Sequence, residues 1–227
     1  DRNQRFFTGN TTDHQDHQNN NPQPRAAAAA QSGAAACDED NAVSVSCCRL
    51  QDSSPEIPDL EALNLEAFPA SEYMSIPEMI RVCRVIGGET LAWYYRGELA
   101  GFSQSLVNRQ TAYHTYLAIM PSMRSHGLGQ KIIARIIARN LPRQSVLDFE
   151  FLDPAAENYE IRKRRKALYL RNGFHETGFY TVLSGDHFEV CCTGGPLDTA
   201  SLQDIFQKLS REQEIFAGVL APISSAD

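Results

Sequence analysis

Between Tyr116 and Ile133 the chain reads YLAIMPSMRSHGLGQKII, and within it Arg124-Ser125-His126-Gly127-Leu128-Gly129 joins an apolar, β-rich run to a helical one. Glycines at 127 and 129 strip side chains from a helix N-terminus. The first backbone N–H groups there have no intrahelical partner and carry the positive end of the helix dipole. Arg124 adds a fixed cation just upstream. That combination suits a phosphate oxyanion, and an ordinary tight turn is the other reading of the same residues. It is not a Walker loop, since no G-x-x-x-x-G-K-[ST] is present. Nor is it a dinucleotide fingerprint, because Ile132 stands where a third glycine is required.

A second group lies in VLDFEFL. Strand alternation sets Leu147, Phe149 and Phe151 on one face and Asp148 and Glu150 on the other. Two carboxylates on one face of an apolar strand are costly if buried unpaired, so they are expected to line a cavity or meet basic partners. Asn158, opening the next helix, is a natural N-cap. His114 falls by alternation on the same side as Tyr116, and His126 reads as a solvent-facing spacer in the glycine segment.

The elements that must position these groups follow from periodicity. IPDLEALNLEAFP places apolar residues at 57, 60, 63, 65 and 68, an amphipathic helix ending before Pro69. SIPEMIRVCRVI is a second helix, with Pro77 in its first turn and Gly87-Gly88 as its stop. TLAWYYRGELAGFSQSLV predicts a hairpin turning at Arg96-Gly97-Glu98, and TAYHTYLAIM a further strand. Ile132, Ile133, Ile136 and Ile137 recur at helical spacing. A charged helix runs from about Asn158 to Arg171 and stops at Gly173. FHETGFYTVLSGDHFEVCCTG closes the pattern as a hairpin around Ser184-Gly185-Asp186. Strand–helix–strand in the middle implies a parallel pair, and the hairpins make the rest antiparallel. The expected class is α/β with a mixed sheet and helices against it.

Strand, R-x-x-G-x-G, helix, apolar strand, helix and YLRNGF, in that order, resemble the GNAT superfamily of acyl-coenzyme A-dependent N-acetyltransferases. YLAIMPSMRSHGLGQKII resembles its cofactor motif, and LDFEF…AENYEIRKRRKALYLRNGFHETG the following strand–helix–strand as found in a bacterial branch. The resemblance covers residues 55 to 195. It implies a central mixed sheet whose two parallel strands splay, with the thioester in the gap. It implies that Arg124, Ser125, His126, Gly127, Leu128, Gly129 and Gln130 line a pyrophosphate loop, and that Leu117, Ala118 and Ile119 bond the pantetheine arm. Asn158 matches an asparagine that contacts the pantetheine in the family. Tyr169, four residues before Gly173, matches the position of its general acid.

Acetyl transfer to an amine needs a neutral amine, a stabilised oxyanion and a protonated leaving thiolate. A phenol suits the last task, its reference pKa of about 10 lying near the about 8.5 of a thiol. Glu150, nearer the strand's C-terminal end, is the better base or amine-binding residue than Asp148; an ion pair with Arg162 or Arg165 is its alternative role. The implied activity is transfer of acetyl from acetyl-CoA to a primary amine of a small molecule or a protein by direct attack in a ternary complex. A non-catalytic acyl-CoA-binding module is the alternative.

Composition bounds the remaining classes. Hydrophobic residues at 42% and charged residues at 22% are ordinary for a globular protein, and the net charge of −7 argues against nucleic acid or anionic membrane as a partner. IRKRRKALYLR reads as a solvated helix face, with Glu157 and Glu160 nearby. Six cysteines without C-x-x-C spacing predict reduced thiols, no metal and a cytoplasmic protein. His14 and His17 in DHQDHQ belong to a polar tail. The Asn/Gln-rich and alanine-rich stretch predicts a disordered segment over 1–54, a domain over 55–200 and a C-terminal helix and tail over 201–227. Homodimer formation is left open.

Overall fold

A computed structural model describes residues 45–124, 126–183, 185–213 and 219–223. The chain runs β1 (Val45–Arg49), α1 (Ile57–Ala67), α2 (Ile76–Ile86), β2 (Gly88–Tyr95), β3 (Glu98–Val107) and β4 (Thr111–Ile119). After a short 3-10 turn (Pro121–Met123) come α3 (Leu128–Asn140), β5 (Gln144–Glu150), α4 (Tyr159–Arg171), β6 (Phe174–Leu183), β7 (Asp186–Thr193), α5 (Thr199–Glu212) and β8 (Val219–Pro222). The strands form one eight-stranded sheet, ordered β1-β2-β3-β4-β5-β7-β6-β8.

Local chemistry accounts for the element ends. Ser75 caps α2, its hydroxyl accepting from the Glu78 N–H at 3.3 Å, and Pro77 lies in the first turn where no N–H is needed. Arg96 and Gly97 both take positive φ between β2 and β3, the geometry of a tight two-residue hairpin. On α1 the inward face is Leu60, Leu63, Asn64 and Ala67. Leu65, counted as apolar periodicity, is 62% exposed; Asn64 is buried in its stead and donates Nδ2 to the Met74 carbonyl at 2.8 Å.

One face of the sheet packs Tyr113, Tyr116 and Phe102 with Leu60 of α1, Met79 of α2 and Phe206 of α5. The other packs Leu117, Leu147 and Phe149 with Ile132 and Ile136 of α3 and Tyr169 of α4. Burying apolar area on both faces is the main force closing the domain.

The sheet exceeds the expected domain at both ends. β1 pairs antiparallel with β2 from Val45↔Tyr95 to Arg49↔Leu91, so strand structure begins ten residues before Pro55. An edge strand needs apolar residues on one face only, here Val45 and Cys47, and the alternation from Val43 to Cys47 was the available signal, beside a long low-complexity stretch. Leu202, Ile205, Phe206 and Leu209 of α5 join the core, and β8 pairs with β6, so residues 201–222 belong to the domain as well. Residues 1–44, with His14 and His17, lie outside the described residues, as do Ser125 and Ser184.

Candidate functional site

The parallel pair is short. β4 meets β5 at Thr111↔Gln144, Ala112↔Ser145 and Tyr113↔Val146, and no further register pair joins them among the described residues. β4 continues to Ile119 and β5 to Glu150, so the two strands part beyond Tyr113 and Val146. Leu117, Ala118 and Ile119 keep β3 as their partner on one side, opposite Ser103, Phe102 and Gly101. On the β5 side no strand pairs with them among the described residues, and the Ile119 carbonyl there is taken by Arg124 Nε at 3.0 Å.

A β-bulge lies at the same place. The register steps from Ser105↔His114 to Gln104↔Tyr116, which makes Thr115 an extra residue on β4. Tyr113 and Tyr116 therefore share a face, packing on Phe206 and Phe68. His114 is displaced from the side of Tyr116, where simple alternation put it. It is buried, its Nδ1 lies 2.8 Å from the Ser105 hydroxyl, and its Nε2 has no partner among the described residues. Desolvation lowers its pKa to about 3, so the imidazole is neutral.

β4 leads through the 3-10 turn to the N-terminus of α3. Gly127 occupies the cap in a left-handed conformation, φ 69° and ψ 10°, and among the described residues beyond its chain neighbours no atom lies within 4 Å of where a Cβ would stand. The first backbone bond into the helix is Lys131 N–H to the Gly127 carbonyl at 3.4 Å; the N–H groups of Leu128, Gly129 and Gln130 precede it, and no acidic side chain occupies that turn. Leu128 and Gly129 are buried, while Gln130 and His126 are exposed, His126 Nδ1 resting 2.8 Å from the Arg124 carbonyl. Arg124 is already partnered: Nε donates to the Ile119 carbonyl at 3.0 Å and Nη2 meets Glu66 at 3.2 Å. It pins the loop to the end of β4 as well as lending charge.

The carboxylates of β5 have separate partners. Asp148 Oδ2 accepts from the Tyr113 hydroxyl at 3.0 Å and the Thr181 hydroxyl at 2.7 Å. Glu150, at the last position of the strand, meets α4: Arg165 Nη1 at 2.7 Å from Oε2 and Arg162 Nη2 at 3.6 Å from Oε1. The ion-pair role left open by the sequence is thus present, with both arginines. Burial pushes the Glu150 carboxyl up, and Arg165, Arg162 and Asn158 oppose that. Asn158 stands at the cap of α4 without a side-chain capping bond. Its Oδ1 accepts from Arg162 Nε at 2.7 Å, and its Nδ2 is 3.5 Å from Glu150 Oε1. A charged donor outcompetes a backbone N–H for that oxygen.

Tyr169 lies one helical turn beyond Arg165, fully buried, with its ring 5.2 Å from Phe149 and 6.2 Å from Phe174. Desolvation raises its pKa, opposed by Arg165 and assisted by Glu150, Asp148 and Cys191, so the phenol keeps its proton. The basic run on α4 is not wholly solvated. Arg162, Arg165 and Tyr169 recur at helical spacing on the inner side, Lys166 reaches Glu189 at 2.9 Å, and Lys163 and Arg164 take the exposed side. Counting charges along the run could not separate these faces; the spacing of 162, 165 and 169 was the available signal.

Cys83, Cys191 and Cys192 are free thiols. Among the described residues, no group of three or more His, Cys, Asp or Glu side chains is placed to hold a metal, and no helix is long and apolar enough to cross a membrane.

The splayed pair, the glycine-capped helix after β4 and the antiparallel β6–β7 hairpin define the fold of the GNAT acetyltransferases. A solved structure from Bacteroides thetaiotaomicron, described as a GNAT-family acetyltransferase, superposes with a TM-score of 0.57 at 22% identity, over 75% of this chain and 98% of that one. Arabidopsis thaliana Naa50 with a bisubstrate analogue matches at TM-score 0.49 and 15% identity, over 67% and 100% of the two chains. An Elizabethkingia anophelis GNAT acetyltransferase with acetyl-CoA bound matches at 0.47 and 14%, over 66% and 98%. No family model and no curated protein matches the chain.

Proposed function

We propose that this protein transfers an acetyl group from acetyl-CoA to a primary amine of a small molecule or a protein. The observation that carries the reading is the coincidence of the β4–β5 fork with the open, glycine-capped N-terminus of α3 at the end of the same strand. The residues fit the cofactor. Gly127 leaves space where a side chain would block an anion, the first-turn N–H groups of Leu128, Gly129 and Gln130 are donors for a pyrophosphate, and Leu117–Ile119 run along the edge that β5 leaves, where an amide-bearing arm would compete with Arg124 for the Ile119 carbonyl. Arg124 and His126 flank that loop, and Ser125 is assigned to it by its place in the sequence.

Bound acetyl-CoA supplies an activated acyl group. The chain positions it along β4, excludes water with the apolar cluster around Phe149, and holds a proton at the Tyr169 hydroxyl for the departing sulfur. Glu150 keeps a second role beside its ion pairs, as the carboxylate nearest the mouth of the fork for an acceptor amine. Asn158, bonded to Arg162, presents its amide at the same end of β5.

The test is a thiol-release assay with acetyl-CoA against a panel of small amines and peptide amines, paired with calorimetry of coenzyme A. Release on at least one amine supports the reading. Binding without release on any amine makes the chain an acyl-CoA-binding module, and no heat at millimolar coenzyme A removes the cofactor altogether.

A further inference from the structure

Two arginines of α4 share Glu150, and their remaining nitrogens differ. Each nitrogen of Arg162 has a partner: Nε donates to Asn158 Oδ1 at 2.7 Å, Nη1 to the Phe151 carbonyl at 2.9 Å, and Nη2 faces Glu150 at 3.6 Å. Arg165 has only Nη1 engaged, at 2.7 Å from Glu150, while Nε and Nη2 have no partner among the described residues although the side chain is 4% exposed. Buried N–H groups of a permanent cation are expensive to leave unbonded, and such groups are found where a ligand completes them.

Arg165 lies one turn before Tyr169 on α4, the residue proposed above as proton donor for the departing sulfur, and the two interact electrostatically. The charged and titratable groups around Arg165 are Glu150 and Asp148 of β5, Cys191 of β7, and Arg162 and Tyr169 of the same helix. Asp148 is bonded on Oδ2 to Tyr113 and Thr181, and burial pushes the Cys191 thiol up to about 12, which keeps it uncharged. Arg165 is therefore the buried cation with donors to spare beside the place where negative charge develops.

We propose that Arg165 is a catalytic residue, donating Nε–H and Nη2–H to the coenzyme A sulfur as it leaves. The inference rests on the acetyl-CoA reading of the site. In the step, the acceptor nitrogen bonds the acetyl carbon and the carbon–sulfur bond breaks with its electron pair left on sulfur. Arg165 holds that thiolate, Tyr169 gives it the hydroxyl proton, and the proton shed by the acceptor nitrogen restores Tyr169. A fixed cation lowers the pKa of a thiol beside it, so it makes the thiolate the better leaving group.

The test compares binding of coenzyme A with that of desulfo-coenzyme A, which lacks only the sulfur, by calorimetry from pH 6.5 to 9.5. For the wild type, coenzyme A gains about tenfold in affinity over desulfo-coenzyme A across this range as the bound thiol ionises, roughly the effect of a pKa one unit lower. R165Q binds desulfo-coenzyme A as the wild type does and loses the gain; R165K, keeping the charge, regains part of it. A merely structural Arg165 leaves the ratio unmoved. Wild type binding both ligands with a pH-independent ratio overturns the proposal alone, as does an undiminished gain in R165Q. Wild type binding neither ligand overturns the acetyl-CoA reading and the proposal together.

Discussion

Arg165 Nη1 stands 2.7 Å from Glu150 Oε2, with both side chains nearly sealed from solvent. The pair ties the middle of α4 to the last residue of β5, at the mouth of the fork. Removing one partner leaves the other charged and buried, which costs about 3–5 kcal/mol. E150A is expected to lose stability of that order by urea denaturation, while E150Q/R165M, which removes both charges, loses less than E150A.

Tyr169 is expected to act in the transfer and not in cofactor binding. Y169F is predicted to lower kcat by about a hundredfold, within the range for loss of a general acid, with coenzyme A affinity changed less than about twofold. Steady-state kinetics with calorimetry checks this; an unchanged kcat would remove the proton-donating role.

Gly127 and Gly173 both hold positive φ, 69° and 87°, and among the described residues beyond their chain neighbours no atom lies within 4 Å of the position a Cβ would take. Alanine at either position costs about 1–2 kcal/mol through left-handed backbone strain. Only G127A places a methyl group over the α3 N-terminus. Both variants are therefore expected to be similarly destabilised, and G127A alone to weaken coenzyme A binding, by about tenfold or more.

His114 makes stability depend on pH. Its folded pKa of about 3 lies below the about 6.5 of an unfolded chain, so between these values the unfolded state binds a proton that the folded state does not. Stability from this group is therefore lost as pH falls below about 6.5, by roughly 1.4 kcal/mol per unit, until pH 3. H114Q is expected to flatten the acid limb of a denaturation series between pH 7 and 5 by about 2 kcal/mol relative to wild type.

Much of this molecule is written in local pattern. Helical spacing of Ile132, Ile133 and Ile136, the Ser75–Pro77 helix start, the Arg96-Gly97 turn and the glycines before α3 act over a few residues, and their elements form as periodicity and turn chemistry dictate. The mixed sheet and the GNAT fold were likewise legible in the order of motifs. β1 was not, because an edge strand of five residues buries a single face and follows directly on the acidic end of the low-complexity stretch. Nor was the bulge at Thr115, since the extra residue exists only in the register of β4 against β3.

The site divides along the same line. By itself the sequence determined that a helix with glycines at its N-terminus follows β4 and that Asp148, Glu150 and Tyr169 lie downstream. Only the tertiary structure decided which groups those side chains meet. Asp148 goes to Tyr113 and Thr181, Glu150 to Arg162 and Arg165, and His114 to Ser105 on the face opposite Tyr116. Periodicity assigns a residue to a face. The partner of a buried charge is set by which helix crosses that face, at what distance, and whether the pairing offsets desolvation.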